Sequence, residues 1–336
     1  MEFFEMKTLQ IYGDPTGSHS LSAIKKGFKP ENIWVWENDS THFYAIKQID
    51  DKINLIEDIN SLNIPMNFTT TIGNPPFKGD LHLEFLKIAL QKSENVKLIH
   101  PSGWLYRNNN KLEFEVKKLL EKRITKLTLF NGNSVFTGTR FQSPLVITEA
   151  AKNSDSFILE YKTNGNTYEL SSMDDLPCGY WEPTEINLEL KEFIYSEASK
   201  SNLYSIFGTY QNGVYLNLNE VVGNRGNNPN SFFSTDFYTF FYRNSDMDNH
   251  SIREKVVNLN YQEQKYYLIS YLKTKFARFA LSLNKVNNWN ISRRYLEAIP
   301  LPPLDRDWND DLIKQFYNLT KEQWNAIDEF IPNYYQ

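Results

Sequence analysis

Residues Thr71-Ile72-Gly73-Asn74-Pro75-Pro76-Phe77 run from an apolar, β-branched stretch straight into Asn-Pro-Pro-aromatic. Two consecutive prolines fix φ and remove two backbone donors. Each also pushes the residue before it to extended geometry. The product is a rigid loop that offers acceptors, the Asn74 side-chain oxygen and the Pro75 carbonyl, with the Phe77 ring alongside. An exocyclic amine on a flat ring carries two N–H donors and a lone pair delocalised into the ring. Two acceptors drawing on those hydrogens free the lone pair for attack on a methyl donor. Phe77 would hold the ring by stacking, worth about 1–3 kcal/mol for a base. Read alone, Pro-Pro after a strand is also an ordinary turn, so the surroundings decide.

Those surroundings alternate strand and helix. Strands are expected at Leu9–Tyr12, Ile33–Trp36, Ile53–Ile56, Phe68–Ile72, Val96–Ile99, Lys126–Phe130 and Ser143–Thr148. Helices are expected between them, one carrying Leu21, Ile24 and Phe28 on one face and one opening at Asp39 or Ser40, both good caps. A further helix has Leu83, Leu86 and Leu90 spaced for burial, with Asp80 as its expected cap, and another spans about Lys111 to Lys122. This order predicts an α/β fold, a doubly wound, Rossmann-like, mostly parallel sheet with helices on both faces. In such sheets ligands bind beyond the carboxyl ends of the strands. Asp14, Glu37, Asp58 and Asn74 all fall at or just past expected strand ends, so four polar candidates share one rim.

The second half is of another kind. A hairpin is expected around Asn164-Gly165, then an acidic helix from about Pro183 to Lys200. A polar stretch, Asn217 to Ser231, reads as a loop, and one long helix is expected from Tyr261 to Leu283. Ile299-Pro300-Leu301-Pro302-Pro303 reads as a rigid connector to a short helical tail. The division expected is 1–150 for the sheet domain and 151–336 for an α+β region.

At 336 residues, with 40% hydrophobic residues and a mean hydropathy of −0.54, the chain has the length and balance of a soluble globular protein. No apolar run approaches a membrane span, and MEFFEMKTLQ lacks the basic-then-apolar order of a signal peptide. One cysteine, Cys178, excludes an internal disulfide and a thiolate metal cluster, and a reducing, cytoplasmic location is the expectation. The net charge of −5 excludes a wholly basic nucleic-acid binder. Locally, however, Gln264 to Leu296 holds Lys265, Lys273, Lys275, Arg278, Lys285, Arg293 and Arg294 and no acid. Phosphate contact is the expectation for Lys273, Lys275, Arg278, Arg293 and Arg294; such contacts fix position without reading sequence.

The order of glycine loop, two acidic strand ends, Asn-Pro-Pro-Phe and a C-terminal region resembles the gamma-type S-adenosylmethionine-dependent DNA adenine-N6 methyltransferases of restriction-modification systems and phages. Val135-Phe136-Thr137-Gly138 before strand Leu145–Thr148, Pro101-Ser102-Gly103-Trp104-Leu105, and the segments Tyr295 to Pro303 and Trp308 to Ile327 resemble further parts of that family. The resemblance implies that Asn74 and Pro75, with Pro76 stiffening the loop, hold the target amine, and that Phe77 and Phe136 sandwich a base rotated out of double-stranded DNA. It implies that Glu37 takes the ribose hydroxyls of S-adenosylmethionine, Asp58 its adenine, and Asp14 with Gly17 its methionine end. It implies no metal, and it leaves open a homodimer or a partner subunit. The chain departs from the family at the glycine loop: Asp14-Pro15-Thr16-Gly17-Ser18-His19-Ser20 has one glycine, with His19 and Ser20 where a second is expected. The rival readings are a catalytically silent DNA-binding or regulatory relative, and a methyltransferase acting on an RNA base or a protein amide.

Overall fold

The computed structural model describes residues 7–37, 39–58, 67–106, 110–136, 141, 144–177, 181–206, 214–215, 256–257, 262–284 and 293–331. The chain divides into two compact units, Met1–Leu176 and Pro177–Gln336.

The first unit is built on one nine-stranded sheet of order β3-β2-β1-β4-β5-β7-β6-β8-β9. Its strands are β1 Leu9–Tyr12, β2 Ile33–Trp36, β3 Asn54–Ile56, β4 Phe68–Gly73, β5 Ser93–Pro101, β6 Ile124–Phe130, β7 Leu145–Ala150, β8 Phe157–Tyr161 and β9 Asn166–Leu170. The first five are parallel in the order 3-2-1-4-5, the Rossmann-like arrangement expected from the sequence. β7 then runs antiparallel between β5 and β6. Helices α1 Ser18–Lys25, α2 Ser40–Ile49, α3 Leu81–Lys92 and α4 Lys111–Leu120 supply the crossovers. β1 lies inside the sheet and is buried at every position, as an apolar strand covered on both faces must be. Leu9, Ile11, Ala23, Ile33, Val35, Ile46 and Ile53 form a core beneath the carboxyl rim.

Two expectations change here. The hairpin expected in the C-terminal region extends the sheet instead: β8 pairs parallel with β6, and β9 closes the edge. The boundary therefore falls after Leu176 and not at 150. Asp80 stands at the α3 N-cap but makes no capping bond; its carboxylate accepts from Asn110 Nδ2 at 3.0 Å.

Among its described residues the second unit is mostly helical, with a two-residue ribbon, Val214–Tyr215 against Val256–Val257. The acidic helix, α5, runs Glu185–Lys200 under a Thr184 cap. The single long helix expected is two, Gln262–Lys273 and Lys275–Ser282. Thr274 breaks it: its backbone is extended and its side chain accepts from Ala277 N, so a new helix starts there. The proline connector is stitched to the end of α5, Leu203 N donating to Ile299 O at 2.8 Å and Leu301 N to Ser201 O at 3.0 Å. No helix among the described residues is long and apolar enough to cross a membrane. Cys178 and the Asn217–Ser231 stretch lie outside the described residues.

Candidate functional site

Where the strand order reverses, between β1 and β4, two backbones approach more closely than side chains allow. Gly73 has φ 145, and a Cβ on it would stand 2.2 Å from the Tyr12 carbonyl oxygen. Gly13 has φ 72, and a Cβ there would come within 3.0 Å of the Asn74 carbonyl oxygen. Both positions therefore require glycine. Gly13 N donates to Trp36 O at 3.0 Å and Asn74 N to Tyr12 O at 2.9 Å, which ties the ends of β2, β1 and β4 in a row. In the sequence these glycines stand directly before the polar residues Asp14 and Asn74, a pairing that marks both strand ends.

The Asn-Pro-Pro-Phe loop follows directly from this junction. Pro75 is buried, Pro76 and Phe77 are half-buried, and Asn74 is exposed. The Asn74 side chain makes no hydrogen bond to another described residue. Phe77 meets two rings edge-on, His82 at 6.4 Å and Phe141 at 6.2 Å between centroids. Behind His82 the contacts run into the core: His82 stacks on His100 at 6.0 Å, and Trp104 Nε1 donates to His100 Nδ1 at 3.1 Å. An indole N–H can only donate, so His100 Nδ1 accepts and Nε2 carries the proton it gives to Thr148 Oγ1 at 2.8 Å. Complete burial holds this imidazole neutral, its pKa lowered to about 3, with the neighbouring His82 acting in the same direction. Ser102 is consumed structurally, its hydroxyl donating to Pro144 O at 3.0 Å.

The β1 loop is organised otherwise. Asp14 is fully buried, and its carboxylate accepts from His19 N at 3.0 Å, Ser20 N at 2.8 Å and Ser20 Oγ at 2.7 Å. A carboxylate in that position satisfies the orphan N–H groups of α1 and complements the helix dipole. Gly17 takes its left-handed φ of 71 at the start of α1, and a Cβ on it would lie 2.3 Å from Ile49 Cδ1 of α2. Glu37, at the end of β2, is 5% exposed; its Oε2 accepts from Asp14 N at 3.2 Å and its Oε1 lies 3.3 Å from His42 Nδ1. Asp58 follows β3 and is exposed.

Phe136 packs 5.6 Å from Phe141, the ring that meets Phe77. Phe141, Asn133, His82 and His100 formed no part of the sequence reading. Each acts through a contact across the sheet or between loops that no local spacing records. Thr137 and Gly138 lie outside the described residues.

The cationic set divides. Arg278 is fully buried and Lys275 is 7% exposed, with its ammonium 2.5 Å from Asp328 Oδ1 and its backbone N–H on Asp310 at 2.8 Å. Their residue types are those of phosphate binders, but the helix Lys275–Ser282 is buried at every position, so neither side chain is presented at a surface. The expectation of phosphate contact is withdrawn for these two. Lys273 is half-buried; Arg293 and Arg294 open the helix Arg293–Glu297, and their side chains lie outside the described residues.

No protein-family model matches the chain, and no curated protein matches it. Among solved structures it is similar to the methyltransferase subunit of a type I restriction-modification system from Streptococcus thermophilus, at 17% identity and a TM-score of 0.38 over 47% of this chain and 42% of that one. It is also similar to the M protein of the type I restriction enzyme EcoKI, with 12% identity, a TM-score of 0.37, and 46% and 44% of the two chains covered. A dimethyladenosine transferase from Plasmodium falciparum matches at 17% identity and a TM-score of 0.33 over 44% and 57% of the respective chains. The chain thus spans less than half the length of the first two. Likenesses at this level carry nothing about activity, substrate or partner.

Proposed function

We propose that the protein transfers a methyl group from S-adenosylmethionine to the N6 amine of adenine in DNA, on a base rotated out of the duplex and held by Asn74–Phe77. The observation that carries this reading is the Asn74 carboxamide, exposed and without a bond to another described residue, on a proline-locked loop at the switch point of the sheet. Asn74 Oδ1 and the Pro75 carbonyl would accept the two N–H groups of the amine, while Phe77 stacks on its ring. Preorganised acceptors of this kind need no reorganisation as charge develops on the nitrogen.

S-Adenosylmethionine fits the neighbouring strand ends. Gly13 leaves bare backbone where a Cβ would fill the junction, and Glu37 would share its carboxylate between Asp14 N, His42 and the ribose hydroxyls. Asp58, exposed after β3, would meet the adenine of the donor. When bound, the donor supplies an electrophilic methyl group. Asp14 and Gly17 would shape the loop beside it rather than touch it, since the carboxylate is engaged by α1 and the glycine by Ile49. Lys273, Arg293 and Arg294 remain the proposed phosphate contacts of a C-terminal recognition region for double-stranded DNA, alone, as a homodimer or with a partner subunit.

The same loop favours one second reading, a relative that binds DNA without the donor, because the residues expected to cradle the methionine end are engaged within the protein. Calorimetric titration with S-adenosylmethionine, using Glu37→Ala as control, separates the two. Binding lost in the variant, together with methyladenine in the DNA of an expressing host, supports the enzyme. Absence of binding with DNA present sinks the enzyme reading and leaves the silent relative.

A further inference from the structure

The buried carboxylate of Glu37 is held from two sides, and one of the holders is a histidine that no local spacing marks. His42 Nδ1 lies 3.3 Å from Glu37 Oε1, and its Nε2 lies 3.9 Å from Asp39 Oδ2. Nδ1 is itself buried, and this carboxylate oxygen is the acceptor it faces, in ion-pair rather than hydrogen-bond alignment. A bare lone pair on Nδ1 would point at the lone pairs of the carboxylate, so Nδ1 carries a proton. The ring is placed by the start of α2. His42 N donates to Asp39 O at 3.0 Å. The Asp39 carboxylate caps the helix, accepting from Thr41 N at 2.9 Å and Thr41 Oγ1 at 2.7 Å.

The second holder is the β1 loop. Glu37 Oε2 accepts from Asp14 N at 3.2 Å. Asp14 is fixed in turn, with Gly13 N donating to Trp36 O and Gly17 N to Asp14 O, both at 3.0 Å. Each oxygen of Glu37 therefore has its own anchor, one on the β1 loop and one on α2, and the two anchors together fix the plane of the carboxylate. A carboxylate that turns freely about its last bond meets one hydroxyl well. One whose plane is fixed presents both oxygens to two neighbouring hydroxyls at once, without an ordering cost on binding. We propose that His42 is a positioning residue of the donor site, locking the Glu37 carboxylate so that it grips the paired hydroxyls of a ribose and discriminates against a sugar that lacks them. The proton on Nδ1 also favours the ionised carboxylate, the form that accepts from both hydroxyls. The effect of His42 passes through Glu37. This inference rests on the donor reading above and names what makes its sugar subsite selective.

The test is calorimetric titration of the full chain with two ligands, S-adenosylhomocysteine and its counterpart lacking both ribose hydroxyls. His42→Phe keeps a flat ring and removes both nitrogens. It is expected to weaken S-adenosylhomocysteine about tenfold, the scale of one charge-assisted hydrogen bond lost from alignment. The same variant should bind the counterpart within about twofold of wild type, since a coupling between His42 and the hydroxyls vanishes when the hydroxyls are absent. His42→Asn returns an N–H close to the position of Nδ1 and is expected to recover most of the loss. His42→Leu replaces the phenylalanine variant if that one melts low. A histidine that only stabilised α2 would weaken both ligands alike. Equal losses for the two ligands, no loss for either, or an asparagine variant as weak as the phenylalanine one overturns the inference. In those cases the donor reading stands, because the wild type still binds S-adenosylhomocysteine. Failure of the wild type to bind it removes both.

Discussion

At the end of β1, Asp14 gives both carboxylate oxygens to the first turn of its own helix, whereas at the end of β4 the Asn74 side chain is bonded to no other described residue. The two loops start from adjacent strands and lean on each other through Gly13 and Gly73. One is closed on itself and the other is open, and both are rigid for different reasons. The β1 loop is held by hydrogen bonds to a helix N-terminus and by Gly17 seated against Ile49. The β4 loop is held by proline stereochemistry, a buried Pro75 and a ring stack that continues into the core through His82, His100 and Trp104. Rigidity that leaves polar atoms unengaged is what an acceptor site needs; rigidity that engages them builds a scaffold. Function should therefore fail first at β4, and stability first at β1.

The contrast breaks most sharply at Asn74. Asn74→Ala is expected to lower methyladenine formation by about 10²–10³-fold, the scale of losing one preorganised hydrogen-bonding group at a reacting atom. Its melting temperature should stay at the wild-type value. A variant that retains activity within a few fold, by mass spectrometry of host DNA, removes the acceptor role. At the other loop, Gly17→Ala combines a disfavoured left-handed φ with overlap on Ile49 and is expected to cost about 1–3 kcal/mol. Urea unfolding measures it, and a second change, Ile49→Ala, should recover part of the loss if steric overlap is the cause.

A third prediction concerns the stack beneath the acceptor loop. The folded pKa of His100 is lowered to about 3, below its unfolded value of 6.5, so the unfolded chain binds the extra proton between those pH values. The contribution of the neutral, buried ring is therefore complete above pH 6.5 and falls as pH drops towards 3. Between pH 7 and pH 5 the wild type should lose about 2 kcal/mol from this residue alone. His100→Gln should be less stable at pH 7 but lack that part of the slope, a difference visible in urea midpoints at the two pH values. The smallest effect is expected at Asp14. Asp14→Asn keeps one acceptor for the α1 terminus and should cost about 1 kcal/mol, with affinity for S-adenosylmethionine unchanged in calorimetry at a temperature where both proteins are folded. A large loss of affinity in that variant would return Asp14 to the donor site.

The strand ends were legible because a doubly wound sheet leaves its apolar strands as short hydrophobic runs, and the polar residue that ends each run then marks the ligand rim. Asp14, Glu37, Asp58 and Asn74 were placed at strand ends in that way, and the structure shows each at or just past the end of its strand. The role of Asp14 was not legible, since a carboxylate five and six residues before the amides it caps has no distinctive spacing. The helix break at Thr274 was hidden because the stretch from Gln262 to Ser282 has neither proline nor glycine to announce it. Lys275 and Arg278 were misread as surface cations because composition reports charge and not the partners, such as Asp310 and Asp328, that surround them in the fold.

The amino-acid sequence by itself determined the alternating architecture and the stiffness of the Asn74–Phe77 loop, because proline geometry and hydrophobic period act over a few neighbouring residues. Tertiary structure alone decided which polar groups stay open, which charges are buried and which ring lies against Phe77. Those outcomes depend on residues far apart in the chain, Asn133 holding Phe141 against the β4 loop among them, and each hydrogen bond or ring contact exists only once the sheet has brought its two ends together.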